Sequence, residues 1–321
     1  GAYWSQAEFL NVETLIEPQL DQLLRNLGEA PIGVGADGLS YRGEQTQEET
    51  QLAGFVDVTW SFTDDFRASA GARVSRTTFE SVSTMSGAYI GPAPTRSAPL
   101  EADESPWTPR FGLAYDLTAS TMLYANAGKG YRTGGRNAPL SARCLQLLAA
   151  AGEPVPEGPF GSDTAWSYEL GAKGTLGSRL RYEASVFRID WTDIQQRVTL
   201  GPCGVTYTVN LGEAKSDGFD LSVAWAATDD LSVDLALGYA DARFARDIFQ
   251  VRGATSGALQ VAAGNALFMA GTPWQGALGV RYDFGLGSLP AFVRADWEYV
   301  GDNFRQRASN DPRTNGFNAR I

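Results

Sequence analysis

The chain has 321 residues and a formal net charge of −11 at pH 7. This charge argues against a nucleic-acid partner, because a phosphate backbone demands a basic surface. The chain contains no histidine, which removes the commonest general base and metal ligand, and no apolar run approaches the ~20 residues that a membrane-spanning helix needs.

Alternating apolar and polar residues predict β-strands along most of the chain. The clearest run extends from Leu231 to Phe244, where apolar residues occupy every odd position up to Tyr239. A period of two is typical of a strand with one apolar and one polar face. Leucines at helical spacing within Val12 to Glu29 predict a short amphipathic helix. The predicted strands lie near Ala2–Phe9, Thr50–Phe62, Phe66–Ser81, Ser105–Asp116, Thr121–Thr133, Thr164–Thr175, Leu180–Val198, Val205–Ala226, Leu231–Phe244, Thr272–Phe284 and Ala291–Phe304, and another begins near Thr314.

The connections between these strands alternate between tight turns and long loops. Tight turns such as "TDD" (Thr63 to Asp65) are followed one strand later by long connections rich in Pro, Gly and Ser. Outer-membrane barrels have this anatomy, with short periplasmic turns and long extracellular loops. We therefore predict an all-β fold, an antiparallel up-and-down transmembrane β-barrel in which residues 1–321 form one partial domain. The predicted extracellular loops are 10–49, 82–104, 134–163 and 245–271.

The two faces of the predicted strands support this interpretation. One face is apolar, and the other carries charges of both signs, such as Arg67, Arg281 and Asp296. An arginine at mid-depth in lipid costs ~2–4 kcal/mol, so we expect the charged face to line the lumen. Aromatic residues lie near the strand ends, as in the belts at the two bilayer interfaces. A soluble sheet whose polar face meets water is the alternative, but it rarely sorts its loops by length in this way.

Several segments resemble TonB-dependent outer-membrane receptors, which are plugged barrels of about 22 strands. "TMLYANAGKGYRTGGRNAP" (Thr121 to Pro139) resembles the family's strand with Leu-Tyr, Gly-Tyr-Arg and Gly-Gly. "SYELGAKGTLGSRLRYEASVFRIDWTDIQ" (Ser167 to Gln195) is similar to its Glu-x-Gly-x-Lys strand and the strand after it. "NLGEAKSDGFDLSV" (Asn210 to Val223) resembles its segment that begins Asn-Ala-Gly and continues to Gly-x-Glu, with departures at Leu211 and Asp220. "LAGFVDVTWSFTDDFRASAGARVS" (Leu52 to Ser75) resembles its paired strands ending in Gly-x-Arg.

The resemblance implies a fragment of about 12 strands out of a probable ~22, forming an open, curved sheet. The plug, the TonB box and the closing strands would then be absent from this chain. The implied function is active uptake of a scarce nutrient, a ferric siderophore or similar chelate, across the bacterial outer membrane. The implied partners are outer-membrane lipid, the chelate, and the TonB complex acting through the plug. Two alternatives stay open: a passive porin-like channel, and a soluble β-sandwich binding or adhesin module.

No residue pattern supports enzymatic chemistry, so we predict no catalytic residues, no bound cofactor and no metal site. The paired carboxylates Asp64–Asp65 and Asp229–Asp230 occupy tight turns, where Asp favours the backbone geometry. The acidic cluster Glu101, Asp103 and Glu104 lacks the ligand pattern of a calcium loop, so we interpret it as a solvated loop.

The candidate substrate contacts are aromatic and arginine side chains in or beside the long loops. Such side chains suit planar or anionic chelates. For any one of them, ordering of its own loop is an interpretation at least as good. The candidates are Tyr131, Arg132, Arg136, Phe160, Arg246 and Arg252.

The two cysteines, Cys144 and Cys203, lie in neighbouring long connections separated by an even number of predicted strands. Both are therefore expected on the extracellular side, where an oxidising environment permits a disulfide. We predict a Cys144–Cys203 bridge that fastens the large loop to its neighbour and restricts the unfolded chain.

Overall fold

The computed structural model describes residues 1–137, 140, 142–152, 155, 159–199, 206–252, 255–267, 272–301, 303–305 and 317–319. The main sheet follows the chain through β1 (Ala2–Ile16), β2 (Leu39–Ser61), β3 (Phe66–Ser86), β6 (Trp107–Thr118), β7 (Thr121–Arg132), β10 (Asp163–Leu176), β11 (Leu180–Thr192), β14 (Ala214–Ala226), β15 (Leu231–Phe244), β18 (Trp274–Leu286) and β19 (Leu289–Val300). The short β4 (Thr95–Arg96) and β5 (Leu100–Glu104) also pair with β3. Separate hairpins join β8 (Gly135–Arg136) to β9 (Pro159–Phe160), β12 (Gln195–Thr199) to β13 (Thr206–Asn210), β16 (Ile248–Arg252) to β17 (Thr255–Val261), and β20 (Asn303–Arg305) to β21 (Phe317–Ala319).

Every neighbouring pair in the main sheet is antiparallel. This confirms the predicted up-and-down meander, and it places Leu235 opposite Leu278 within one sheet rather than between two packed sheets. Within the described residues, β1 and β19 each pair on one side only. The sheet is therefore open, with two free edges.

The strand register gathers the apolar residues onto one face. One row of directly opposed residues runs from Trp60 in β2 to Trp274 in β18, and every member is apolar. Within this row Leu170 is 59% exposed and Val186 is 56% exposed. An apolar surface this extensive marks a membrane or protein contact, and we expect this face to contact lipid.

The opposite face of the sheet is polar. A cavity of about 410 Å³ opens on this face and is lined in part by Thr59, Arg67, Ser69, Tyr124, Glu169 and Lys173. Arg67 binds Asp116 on the neighbouring strand through two hydrogen bonds of 2.7 and 2.9 Å. Such cross-strand pairs satisfy charges away from lipid, as expected for a lumenal wall.

A row of carboxylates marks the upper limit of the apolar band. On the outward-facing side, Glu8, Glu48 and Glu80 occupy directly opposed positions on β1, β2 and β3, and Glu101 of β5 continues the row. Glutamates on the outward face are costly in lipid, so we place this row in water. The upper halves of β1, β2 and β3 then project beyond the membrane.

Two of the predicted strands are broken where they were expected to be continuous. Leu180–Val198 ends its main-sheet pairing at Thr192, because Asp193 adopts a left-handed conformation with φ 55°. Val205–Ala226 is interrupted at Gly212, which has φ 87°. These paired kinks turn β12 and β13 into a hairpin outside the main sheet.

The predicted loops contain more regular structure than expected. β1 and β2 extend into the range 10–49, and β3 extends to Ser86 within 82–104. The short helix expected within Val12 to Glu29 is present as α1 (Leu20–Asn26), and α2 (Ala142–Ala151) lies in the range 134–163. The segments without regular structure are therefore shorter than the predicted loops. The extracellular position of these loops stays a prediction. No helix among the described residues is long and apolar enough to cross a membrane.

The assigned faces predict opposite responses at two adjacent residues of β15. In the membrane-inserted receptor, Leu235→Arg should lower the free energy of unfolding by ~2–4 kcal/mol, because it places a charge near mid-depth in lipid. The matched change Asp234→Asn, on the polar face, should cost much less. Unfolding in bilayers or detergent micelles measures both, and equal penalties would show that the faces are assigned wrongly.

Candidate functional site

The end of β7 at Arg132 and the start of β10 at Asp163 lie at the long-loop end of the sheet, which we call the rim. This rim is built around one buried carboxylate. Asp163, 2% exposed, forms an ion pair with Arg132 and accepts a hydrogen bond of 3.1 Å from the backbone N–H of Gln195. Gln195 in turn donates from Nε2 to the carbonyls of Thr133 and Gly161, at 2.9 and 3.1 Å. Asp163 and Gln195 thus tie the ends of β7 and β10 to the start of β12.

A second carboxylate, Glu104 at the end of β5, holds the same region from the other side. It accepts hydrogen bonds from the backbone N–H groups of Gly134 and Ser162, at 3.0 and 2.9 Å, and also from the Ser162 hydroxyl. Asp103 pairs with Arg76. The acidic cluster at 101–104 is therefore not the loop that we expected, because it belongs to β5. Glu101 and Asp103 are exposed to solvent as expected, whereas Glu104 is held by these contacts. Among the described residues no group of three metal-ligating side chains is present.

Two neighbouring loops are joined into one unit by reciprocal amide contacts. Asn137 donates to the carbonyl of Thr208 at 2.7 Å and accepts from its N–H at 2.6 Å. Asn210 accepts from the N–H of Gly161 at 2.6 Å and donates to its carbonyl at 2.9 Å. Each contact links the loop after β7 to the β12–β13 hairpin, so these two loops are positioned together.

The helix α2 contributes the apolar part of this unit. Cys144 and Leu148 are fully buried on it and pack against Leu140 and Tyr207. Cys144 takes part in a disulfide bond. Cys203, its predicted partner, lies outside the described residues, so the Cys144–Cys203 pairing stays a prediction.

The candidate substrate contacts are only partly brought together. Arg132, Arg136 and Phe160 lie in adjoining elements, and Phe160 pairs with Gly135 beside Arg136. The Arg136 Nε donates to the carbonyl of Glu101 at 3.1 Å. The Tyr131 hydroxyl accepts a hydrogen bond of 2.9 Å from Gln51.

The other two candidates lie farther along the chain, after β15. Arg246 is 73% exposed at its side chain and forms an ion pair with Glu213 at 3.0 Å. The side chain of Arg252 lies outside the part of the structure that is described. Whether any candidate contacts a substrate stays a prediction.

The residues that organise the rim were not found from the sequence. Asp163, Gln195 and Asn137 carry no recognisable motif, and their partners lie 31 to 71 residues away. Asn137, Gln195 and Asn210 stood in segments that were singled out by their resemblance, but the resemblance gave none of them this role. The one weak signal that Asp163 offers is an acidic residue after Gly-Ser, directly before the predicted strand Thr164–Thr175.

Burial shifts the pKa of one tyrosine, Tyr41, in the part of β2 that projects beyond the apolar band. Partial burial raises the pKa of the Tyr41 phenol above its usual range, and the nearby negative charge of Glu13 adds to the effect. The phenol of Tyr41 therefore stays neutral at neutral pH.

An open antiparallel meander with one apolar and one charged face defines an outer-membrane barrel wall. The family model described as "TonB dependent receptor-like, beta-barrel" matches residues 19–319. The chain belongs to this family of bacterial outer-membrane receptors.

Curated relatives and solved structures agree with this assignment. The metal-pseudopaline receptor of Pseudomonas aeruginosa is 29% identical over 147 residues, which cover 46% of this chain and 18% of that protein. The pesticin receptor of Yersinia enterocolitica is 26% identical over 197 residues, or 61% of this chain and 26% of that protein. The chain therefore matches about a quarter or less of each relative's length.

Two crystal structures share the fold. The ferric yersiniabactin uptake receptor of Yersinia pestis superposes with a TM-score of 0.66 at 18% identity, covering 84% of this chain and 37% of that one. The ferric-catecholate import receptor of E. coli K12 gives a TM-score of 0.60 at 15% identity, covering 97% of this chain and 42% of that one.

The rim network predicts that Asp163 controls local order. Asp163→Ala removes hydrogen bonds to a charged group, each worth ~1.5–3 kcal/mol. Amide hydrogen exchange near Gly161 and Gln195 should therefore accelerate by about tenfold or more, while the lower strands stay protected. Asp190→Ala is the control, because Asp190 forms its ion pair with the exposed Arg188, which is not part of the rim network. Equal exchange in both variants would contradict this role.

The disulfide prediction has its own test. Proteolysis of the oxidised receptor, followed by mass spectrometry, should yield one cross-linked peptide pair containing Cys144 and Cys203. Reduction should separate the pair and accelerate amide exchange in α2, because the bridge no longer fastens the two loops. A linkage of Cys144 to any partner other than Cys203 would refute the pairing.

Proposed function

We propose that the receptor takes up a ferric siderophore or a similar metal chelate, with energy from the TonB complex. The observation that carries this proposal is the family match across residues 19–319. The chelate class is supported by the names of related proteins, which include receptors for metal-pseudopaline and ferric yersiniabactin.

The rim offers chemistry that suits such a cargo. Arg136 and Phe160 lie on paired short strands at the top of the sheet. A guanidinium binds carboxylate or phenolate oxygens of an anionic chelate, and an aromatic ring packs against its flat parts. The adjoining loops are held in place by Asp163, Glu104 and Asn210, so these two side chains need little ordering on binding.

A passive channel is the alternative within the same fold. A channel needs no energy source and no high-affinity site, whereas active uptake needs both. Long strands that project past the apolar band and interlocked rim loops build a binding surface. These features favour a receptor, and the soluble-module alternative is opposed by the exposed apolar face.

Uptake of radioactive iron tests the proposal. The full reading frame would be expressed in iron-starved cells that lack their own siderophore receptors, with and without a working TonB complex. The probes are ferric yersiniabactin and a ferric catecholate. We expect uptake of at least one probe and its loss without TonB. Uptake that persists without TonB would indicate a passive channel. If neither probe is bound or taken up, the two chelate classes tested are rejected.

A pair of arginine variants then examines the rim. Arg136→Gln should weaken binding of the transported chelate about tenfold or more, since one charge-assisted hydrogen bond is worth ~1.5–3 kcal/mol. Arg179→Gln is the matched control, because Arg179 pairs with Asp229 in the tight turns at the other end of the strands. Equal affinities in the two variants would exclude Arg136 from the binding site.

A further inference from the structure

Glycines on the polar face lie directly opposite bulky side chains of the neighbouring strand. Gly171 is paired with Tyr124, and Gly218 is paired with Phe187. A methyl group added at Gly171 would lie 2.5 Å from Cζ of Tyr124, and one added at Gly218 would lie 2.4 Å from Cζ of Phe187. The rings therefore occupy the space of the missing side chains and lie along the wall.

Tyr124 is held in this position by three residues at alternate positions of β10. Its hydroxyl donates a hydrogen bond of 2.7 Å to Glu169. Gly171 is buried beneath the ring. The Lys173 ammonium lies 5.8 Å from the ring centroid, in cation–π range. The Glu, Gly and Lys of this Glu-x-Gly-x-Lys pattern thus all contact one tyrosine of the neighbouring strand β7.

The position of this ring affects the free space of the lumen. Tyr124, Glu169 and Lys173 all line the cavity of about 410 Å³ on the polar face. A ring that cannot lie over Gly171 has to rotate away from the wall, and the space on that side is the lumen. Flat packing of Tyr124 therefore keeps its ring against the wall and out of the lumen.

We propose that Glu169, Gly171 and Lys173 are positioning residues for transport, which hold Tyr124 flat so that the cargo can pass the wall. This inference rests on the proposed uptake function. It assigns the three residues to passage through the barrel and not to recognition at the rim. It predicts that uptake and surface binding respond differently to changes here.

Gly171→Ala is the cleanest way to displace the ring. The new methyl group would meet Tyr124 side-chain atoms, which can move by rotation. Gly218→Ala is unsuitable, because its methyl group would also lie 2.2 Å from the backbone carbonyl of Tyr239. Gly130→Ala is the matched control: Gly130 lies on the same face of β7, and no atom lies within 4 Å of its added methyl group.

The experiment measures binding and uptake of radioactive ferric chelate by the full-length receptor in cells. For Gly171→Ala we expect surface binding close to wild type and an initial uptake rate reduced by about tenfold, as a barrier raised by ~1.4 kcal/mol would produce. Gly130→Ala should behave as wild type. The double variant Gly171→Ala/Tyr124→Ala should regain uptake, because the displaced ring is removed.

The outcomes separate this inference from the proposed function. If Tyr124 is only structural, the double variant will be at least as impaired as the single one, and the inference fails. Wild-type uptake by Gly171→Ala, or equal loss of binding and uptake, also overturns it. Nitration of Tyr124, followed by mass spectrometry, tests ring position without any cargo and should increase in Gly171→Ala. If the wild-type receptor takes up no chelate, the proposed function fails. If nitration of Tyr124 is the same in Gly171→Ala and wild type, the ring displacement is rejected, whatever the result of the uptake assay.

Discussion

A spanning sheet in lipid has to satisfy every backbone N–H and C=O group within itself, because no water is available there. Between its two free edges, the ladder from β1 to β19 meets this constraint with one antiparallel register after another. Even the tight turns form hydrogen bonds to a neighbouring strand. The N–H of Asp116 donates to the carbonyl of Asp65, and the N–H of Ala226 donates to the carbonyl of Arg179, each at 2.8 Å. Once the ladder is fixed, strict alternation decides which side chains face out and which face in.

Above the apolar band the constraint is relaxed, since water can bond to the backbone. The ladder then gives way to short hairpins, and side chains take over the bonding of loop N–H groups. Glu104 binds the backbone at Gly134 and Ser162, and Asp163 binds the backbone of Gln195 together with the Arg132 side chain. Asn210 mimics a strand pairing with Gly161. A rim built in this way can carry irregular loops in fixed positions, which is what a binding surface for a rigid chelate requires.

Alternation in the sequence predicted the fold correctly, because a period of two depends on neighbours along the chain alone. The kink at Asp193 was missed, because Leu180 to Val198 was interpreted as one extended run and the left-handed backbone of a single residue is visible only in the structure. The rim was predicted only in part. Arg132 was singled out as a substrate contact, yet its partner Asp163 is 31 residues away, and such a contact appears only after folding. Tyr124 and Gly171 belong to separate quoted segments, and only the register joins them.

The central claim is that one face of the meander meets lipid and the other meets the lumen. Spin labels placed one at a time along Phe219 to Ala224 of β14, in the membrane-embedded receptor, test it directly. The measurement compares accessibility to oxygen, which concentrates in lipid, with accessibility to a water-soluble nickel chelate. We expect oxygen accessibility to peak at Phe219, Leu221 and Val223, and nickel accessibility to peak at Asp220, Ser222 and Ala224. Peaks at the same positions for both reagents, or no alternation, would contradict the claim.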